Sequence, residues 1–379
     1  MTLYPSLIQE ALSSVRYPGN GKTLAENNMI ADDIRINGNH VSFSLVFDKP
    51  TDPFIKSVVR SAEAAIESKI GNGVDIKGNI QLKYRHDPTS KAEIKPVLPG
   101  VKNIIGISSG KGGVGKSTVA ANIAIALASK GFKVGLLDAD IFGPSMPKMF
   151  GVEDEPVYMI KENGRDWIEP IEKYGVKMLS IGFLVSKENA VLWRGSMASN
   201  ALRQLITDAK WGDLDYFLID MPPGTSDIHL TLVQTLAITG VVVVTTPQEV
   251  ALADARKGIA MFRDDKINVP VLGIVENMAW FTPENHPEEK YYIFGKEGGI
   301  KLAETLGVKI LAQIPLVAGI CEDADNGSPS ALAAKSLTGS PEFANPEALA
   351  FSILADAIVE QCDERNRKLP PSRKVETNK

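Results

Sequence analysis

The sequence predicts an α/β protein in which a mostly parallel, doubly wound sheet follows a small α+β domain. From residue 102 onward, short apolar runs rich in β-branched residues alternate with helical stretches. This alternation is typical of a parallel sheet that helices cover on both faces. Residues 1–87 lack the alternation and combine two helical stretches with two strand-like ones. We therefore expect two domains of different construction.

The first domain, residues 1–87, is predicted from four stretches with clear periodicity. Residues 7–17 carry apolar side chains at helical spacing, whereas His40–Asp48 alternates like a half-buried strand. Residues 52–70 start with an aspartate cap and a proline in the first turn, which predicts a second helix. Residues 79–85 predict a second strand.

The second domain is expected over residues 102–360, after a proline-rich linker over residues 88–101. Its apolar runs each end in glycine, proline or a polar cluster. They are NIIGISS (103–109), KVGLLDAD (133–140), DYFLIDMPPG (215–224), GVVVVTTP (240–247), VPVLGIVENM (269–278) and VKILAQIP (308–315). Ligands of such sheets bind beyond the carboxyl ends of the strands. Residues 361–379 are polar, charged and interrupted by prolines, so we expect a disordered tail.

The composition excludes several classes of partner. The chain has 379 residues and a net charge of -5, without the clustered lysines and arginines of a nucleic-acid-binding surface. It contains no apolar run near the ~18 residues that a membrane span needs, so we expect no stable membrane insertion. Its two cysteines, Cys321 and Cys362, are far apart in sequence and form no disulfide framework. A reducing, cytoplasmic location is therefore expected.

A glycine-rich loop joins the first run of this domain to the helical stretch that follows it. Gly110, Gly115, Lys116 and Ser117 match the pattern G-x-x-x-x-G-K-[ST] in the strand–loop–helix context that the pattern requires. The glycines let backbone N–H groups face a phosphate, and the helix N-terminus adds positive potential. We expect Lys116 to reach the β- and γ-phosphates and Ser117 to hold Mg²⁺. The expected nucleotide-binding residues of the loop are Gly110, Lys111, Gly112, Gly113, Val114, Gly115, Lys116, Ser117 and Thr118.

Carboxylates follow two of the other runs. Asp138 and Asp140 end one run, and Asp220 ends another and is followed by Gly224. An aspartate after an apolar strand commonly holds the metal of a phosphate-loop site. The candidate carboxylates for a Mg²⁺ site that includes Ser117 are therefore Asp138, Asp140 and Asp220. Gly224 is expected to donate its N–H to the γ-phosphate and to move when that phosphate leaves.

Several stretches carry a family resemblance. KGGVGKST (Lys111–Thr118) resembles the deviant Walker A loop of MinD, ParA and the nitrogenase iron protein. Residues 136–151, 193–234, 245–258 and 273–281 are similar to the Mrp/ApbC branch, also called the Mrp/NBP35 family, and the match spans residues 103–355. That branch is described as ATP-dependent iron–sulfur cluster carriers. The resemblance implies a P-loop ATP hydrolase, and the first domain resembles a divergent MIP18-type (DUF59) domain.

The resemblance also implies roles for single residues. Lys111 would reach across a nucleotide-bound homodimer to the partner's phosphates and offset the charge that builds up in phosphoryl transfer. Asp140 would orient the attacking water, so that the implied catalytic set is Lys111, Lys116 and Asp140. Asp138 would lie near the metal, so that the implied Mg²⁺ set is Ser117, Asp138 and Asp220. Asn277 would hydrogen-bond the adenine edge, and Pro315, within QIPL (313–316), would line the base pocket.

The cargo ligands that the resemblance implies are missing. Relatives that carry clusters usually have Cys-x-x-Cys shortly after the ENM segment, but Glu276–Gly299 contains no cysteine. His286 in this stretch is either a metal ligand or a solvated loop residue, although a cluster prefers thiolate. An iron–sulfur cluster is therefore possible as cargo, with unknown ligands. Apo-proteins that receive clusters, or assembly factors, are the expected partners besides a second copy.

Three functions stay open at this point. The first is a dimeric ATPase that carries or assembles iron–sulfur clusters. The second is a positioning switch of the MinD or ParA type, which the prolines and the missing apolar face of the tail disfavour. The third is an Mrp-like ATPase that no longer binds a cluster itself. An electron-donating reductase is disfavoured because paired cysteines are absent.

Overall fold

The computed structural model describes residues 3–71, 73–85, 97–141, 143–162, 164–184, 195–283, 286, 288–336 and 345–375. The chain divides into two compact units, Met1–Ile94 and Lys95–Lys379. The division falls within the stretch where the sequence predicts a linker, most of which lies outside the described residues.

The first unit packs two helices on a small sheet. Its elements in chain order are α1 (Pro5–Leu12), β1 (Arg35–Asn37), β2 (His40–Phe47), α2 (Ile55–Ile70) and β3 (Ile80–Tyr84). The sheet order is β1-β2-β3, and β2 is antiparallel to β1 and parallel to β3. Asp52 accepts the backbone N–H of Phe54 at 2.8 Å, but Phe54 rather than the predicted Asp52 is the N-cap of α2, because the helix begins only at Ile55. These elements match the predicted α+β construction.

The second unit is built on an eight-stranded sheet. Its strands are β4 (Val101–Ser109), β5 (Val134–Asp138), β8 (Ile171–Lys173), β9 (Val176–Ser180), β10 (Leu214–Asp220), β11 (Gly240–Thr245), β12 (Val271–Glu276) and β13 (Ile310–Gln313). The strand order is β13-β12-β11-β4-β10-β5-β9-β8, and among the described strands of this sheet only the β8–β9 pair is antiparallel. A separate hairpin pairs β6 (Met159–Glu162) with β7 (Arg165–Ile168). The predicted, mostly parallel sheet is confirmed.

Helices cover both faces of this sheet. They are α3 (Lys116–Ser129), α4 (Met146–Met149), α5 (Gly195–Thr207), α6 (Asp227–Thr235), α7 (Glu249–Arg263), α8 (Gly298–Leu306), α9 (Ala318–Asp325) and α10 (Pro346–Lys368), with 3₁₀ turns at Ile181–Leu184 and Ser330–Ser336. Neighbouring residues of β4 face opposite cores: Ile105 packs with α3 and α10, and Ile104 packs with α5 to α8. This two-sided burial explains why the central strands read as continuous apolar runs.

The C-terminal region differs from the predicted disordered tail over residues 361–379. Helix α10 continues to Lys368 because Cys362 is buried against the sheet core and Glu364 pairs with Lys309 at 2.9 Å and with Lys368 at 2.6 Å. The backbone N–H of Val375 then donates to the carbonyl of Val233 at 2.9 Å. Residues 376–379 lie outside the described residues. Within the described ranges, no helix combines the length and the apolar composition that a bilayer span requires.

Candidate nucleotide-binding site

The glycine-rich loop lies at the carboxyl end of β4, in the middle of the sheet. Gly113 and Gly115 both have a φ of +80°, which only glycine adopts without strain. Gly110 approaches helix α7 so closely that a Cβ on it would lie 2.1 Å from the backbone carbon of Asp254. Among the described residues, no side chain caps the first turn of α3. The loop therefore presents an uncapped helix N-terminus, a feature that binds anions.

Lys116 is the centre of a polar network below the loop. It is only 6% exposed, and its ammonium lies 2.5 Å from Asp220 Oδ1 and 3.6 Å from Asp140 Oδ2. The hydroxyl of Ser117 donates to Asp220 Oδ2 at 2.6 Å. The structure thus brings four of the predicted site residues into one cluster, although they come from three separate strand ends.

Asp138 lies directly beside Asp220 in the sheet register and is fully buried. Burial raises the pKa of Asp138 to about 7, and the neighbouring Asp220 carboxylate adds to the rise. Burial also raises the pKa of Asp220, while the ammonium of Lys116 opposes this. A cation bound near Asp138 and Asp220 would favour the ionised forms of both carboxyl groups.

The oxygens of Asp138 are occupied by the protein itself. They accept hydrogen bonds from the backbone N–H of Asp140 and of Met146, both at 3.2 Å, and from the hydroxyl of Ser180 at 2.9 Å. Ser117 and Asp220 are hydrogen-bonded to each other, whereas Asp138 binds the backbone of the turn that follows β5. Its carboxylate fixes the position of Asp140.

Gly224 lies against the start of the phosphate loop. Its backbone N–H donates to the carbonyl of Ser109 at 2.9 Å, and its φ is +77°. A Cβ on Gly224 would lie 3.8 Å from the carbonyl oxygen of Gly110. The residue predicted to sense the γ-phosphate is therefore adjacent to the loop predicted to hold that phosphate.

Asn277 and Pro315 follow β12 and β13, which are neighbours in the sheet. The side-chain amide of Asn277 donates to the carbonyl of Val114 at 2.8 Å, so it supports the phosphate loop from the side. Glu276 binds both neighbouring segments: it accepts the side-chain amide of Gln313 at 2.8 Å and the backbone N–H of Gly299. Glu276 was not among the residues predicted from the sequence, although it is a carboxylate that ends an apolar strand.

Lys111 is half-buried on the outer edge of the loop, where its carbonyl accepts the hydroxyl of Ser109 at 3.0 Å. In the part of the chain that the structure describes, no carboxylate pairs with its ammonium. Lys111 therefore differs from Lys116, whose charge is matched by two aspartates.

The cysteines and His286 form no cluster with one another. Cys321 is exposed on α9, whereas Cys362 is buried within α10, and burial raises the pKa of its thiol to about 12. His286 Nδ1 lies 3.5 Å from Glu288 Oε1, and with Glu289 these exposed side chains form a group of metal-ligating type. Exposed groups of this kind are common on protein surfaces and carry no assignment by themselves.

The contact between Gly110 and α7 leads to a stability prediction. Gly110→Ala should lower the melting temperature, because the new Cβ meets helix backbone that cannot rotate away, and overpacking costs about 1–3 kcal/mol. Gly112→Ala is the matched control, since a Cβ there meets nothing within 4 Å. Thermal unfolding followed by circular dichroism checks both, and equal melting temperatures would show that α7 does not brace the loop.

Two family models match the chain. The ParA model, described as an NUBPL iron-transfer P-loop NTPase, matches residues 100–348. The chain belongs to this family of ParA-like P-loop NTPases. A second model, described as an iron–sulfur cluster assembly protein, matches residues 6–77. The predicted family and the predicted class, a P-loop ATP hydrolase, are confirmed.

Relatives of this P-loop NTPase cover most of its length. A protein of Synechocystis named iron–sulfur cluster carrier protein is 42% identical over 339 residues, which cover 89% of this chain and 92% of the relative. A protein of Escherichia coli K12 with the same name is 50% identical over 257 residues, covering 67% of this chain and 68% of the relative. A solved nucleotide-binding protein in complex with ADP, from Archaeoglobus fulgidus, is 39% identical and covers 61% of this chain and 88% of that one, with a TM-score of 0.53.

Proposed function

We propose that this protein is an ATP-driven iron–sulfur cluster carrier that works as a nucleotide-controlled homodimer. The observation that carries the ATPase half is the network in which Lys116, Ser117 and Asp220 meet under an uncapped helix N-terminus. The names of the relatives support the cargo half. The proposed nucleotide contacts are the loop residues 110–118 together with Gly224, Asn277 and Pro315.

The network is suited to exchanging one anion for another. The ammonium of Lys116 is matched by carboxylates, and a triphosphate entering the loop would compete for that ammonium. Ser117 and Asp220 offer hard oxygen donors, the type that Mg²⁺ prefers, so these residues would hold the ion. Bound there, Mg²⁺ would offset charge on the phosphates. Asp138 would act indirectly, by fixing the turn that carries Asp140.

Asp140 is the proposed residue that orients the attacking water. It lies 3.6 Å from the ammonium of Lys116 and so borders the position of the terminal phosphate in the proposed complex. Lys111, which lacks a carboxylate partner in the described ranges, is the proposed cation that reaches the partner subunit's phosphates. A hydrolysis step that depends on both would occur only in the closed dimer.

The cluster, as cargo, needs ligands that one chain does not supply. A cluster is normally held by four thiolates, whereas each chain has two cysteines, of which only Cys321 is exposed. A homodimer therefore offers two accessible thiols. We propose that an apo-protein or an assembly factor completes the ligand set during transfer. The same count favours a second candidate, an ATPase of this family that serves cluster assembly without holding the cluster.

Anaerobic reconstitution with iron and sulfide tests whether the homodimer alone lacks the ligands to hold a cluster. The wild-type homodimer alone should retain no stable cluster, whereas Pro283→Cys/His286→Cys should retain one. The backbone N–H of His286 donates to the carbonyl of Pro283 at 3.0 Å, so the double variant places two thiols per chain in one turn. Iron and sulfide content and the visible spectrum are the measurements. A stable cluster on the wild type that survives Cys321→Ser would contradict the missing-ligand argument.

A further inference from the structure

The segment between Asp220 and α6 is fixed to the protein at successive points. The backbone N–H of Met221 donates to the carbonyl of Ile107 at 3.0 Å, and that of Gly224 donates to Ser109 at 2.9 Å. Ser226 then starts α6 as its N-cap. If the N–H of Gly224 is to bind a phosphate, its hydrogen bond to Ser109 must break first.

His229 holds the far end of this segment. It is 1% exposed, and its Nδ1 accepts the backbone N–H of Ser226 at 3.1 Å, with the hydroxyl of Ser226 at 3.3 Å. Because a backbone N–H can only donate, Nδ1 must be the unprotonated nitrogen and Nε2 must carry the hydrogen. Burial, together with a smaller contribution from the charge of Lys116, lowers the pKa of His229 to about 4, so the ring stays neutral.

Capping α6 with this histidine has an energetic cost. Its Nε2–H is buried and has no acceptor among the described residues, and an orphaned buried donor is destabilising. The capping bonds and the orphaned donor oppose each other in the free energy of unfolding. A positioning role, in which the imidazole fixes Ser226, therefore explains this histidine better than a gain in stability does.

We propose that His229 is a positioning residue for ATP hydrolysis, which fixes Ser226 so that the loop moves only at Gly224 and Thr225. This inference rests on the proposed ATPase function. With Ser226 held, the N–H of Gly224 can leave the carbonyl of Ser109 for the terminal phosphate and return to the same place after hydrolysis. Without the anchor, the loop takes up many positions, and few of them direct Gly224 at the phosphate.

Two variants of the full chain test the proposal. His229→Leu keeps the volume of the side chain but removes the acceptor, and it should lower kcat about tenfold, with the KM for ATP and the melting temperature close to wild type. His229→Gln should restore kcat, because a glutamine at the third helical position accepts the N-cap N–H in a capping box.

The control is Asn345→Ala, which removes the acceptor for the N–H of Glu347 at the start of α10. It should lower the melting temperature and leave kcat unchanged. The proposal is overturned if His229→Leu hydrolyses ATP like wild type, or if His229→Leu and His229→Gln lose kcat and melting temperature to the same extent. Binding of an ATP analogue is measured in parallel. A wild-type chain that binds but does not hydrolyse ATP would refute the proposed function itself rather than the role of His229.

Discussion

Lys116→Met should weaken binding of Mg²⁺–ATP by roughly a hundredfold or more. Each charge-assisted hydrogen bond to a phosphate contributes about 1.5–3 kcal/mol, and the lysine is proposed to contact two phosphates. The same change leaves Asp220 buried without the ammonium that lies 2.5 Å away, so the pKa of Asp220 should rise further. Titration calorimetry with a non-hydrolysable ATP analogue measures the affinity, and circular dichroism confirms that the variant is folded.

The matched control for this prediction is Lys111→Met. It removes a lysine from the same loop, five positions earlier. Unlike Lys116, this lysine has no carboxylate partner in the described ranges. It should bind the analogue almost as tightly as wild type. If a folded Lys116→Met chain bound ATP with wild-type affinity, the phosphate assignment of the loop would be wrong.

Lys111→Ala should keep ATP binding and lose roughly a hundredfold or more in hydrolysis. A cation supplied across an interface offsets charge that develops only in the transition state, and such groups commonly contribute about 10³–10⁵ in rate. The variant should also dimerise poorly with the ATP analogue, because the lysine links one subunit to the partner's phosphates. Steady-state hydrolysis and sedimentation velocity are the two measurements.

Mixing two inactive variants separates action in trans from action within one subunit. Lys111→Ala has an intact Lys116, and Lys116→Met has an intact Lys111. A mixed dimer would therefore contain one complete composite site. We expect hydrolysis to appear when the two are combined, although each alone is nearly inactive. If the mixture stays as inactive as its components, Lys111 does not act on the partner's nucleotide.

Periodicity and loop chemistry were sufficient to predict the centre of the fold. Strands such as β4 and β11 are buried on both faces, so their apolar runs stand out in the sequence. The short pairs β6–β7 and β8–β9 were not predicted, because three to five residues with mixed exposure give no clear period. The part of α10 beyond residue 360 was wrongly assigned to a disordered tail, because its charged residues conceal the buried Cys362.

The site was predictable residue by residue but not as a network. The sequence placed Lys116 and Asp220 in one site, because both follow strands whose carboxyl ends meet at one edge of the sheet. It did not show that the carboxylate of Asp138 accepts hydrogen bonds from Met146 and Ser180. Nor did it show that the side-chain amide of Asn277 donates to the carbonyl of Val114. Those bonds depend on side-chain positions that only the packed structure fixes. The role of His229 depends on a tautomer, which no sequence pattern reveals.

The uneven burial of the two cysteines makes the unmodified protein a convenient spectroscopic sample. A thiol-reactive fluorophore should attach to one position per chain, since Cys362 is enclosed within the core and Cys321 is open to solvent. That position lies on α9, a few residues beyond Pro315. A dye there would label the helix that follows the proposed base-pocket segment, so nucleotide exchange can be tested for a fluorescence change without introducing a reporter by mutagenesis.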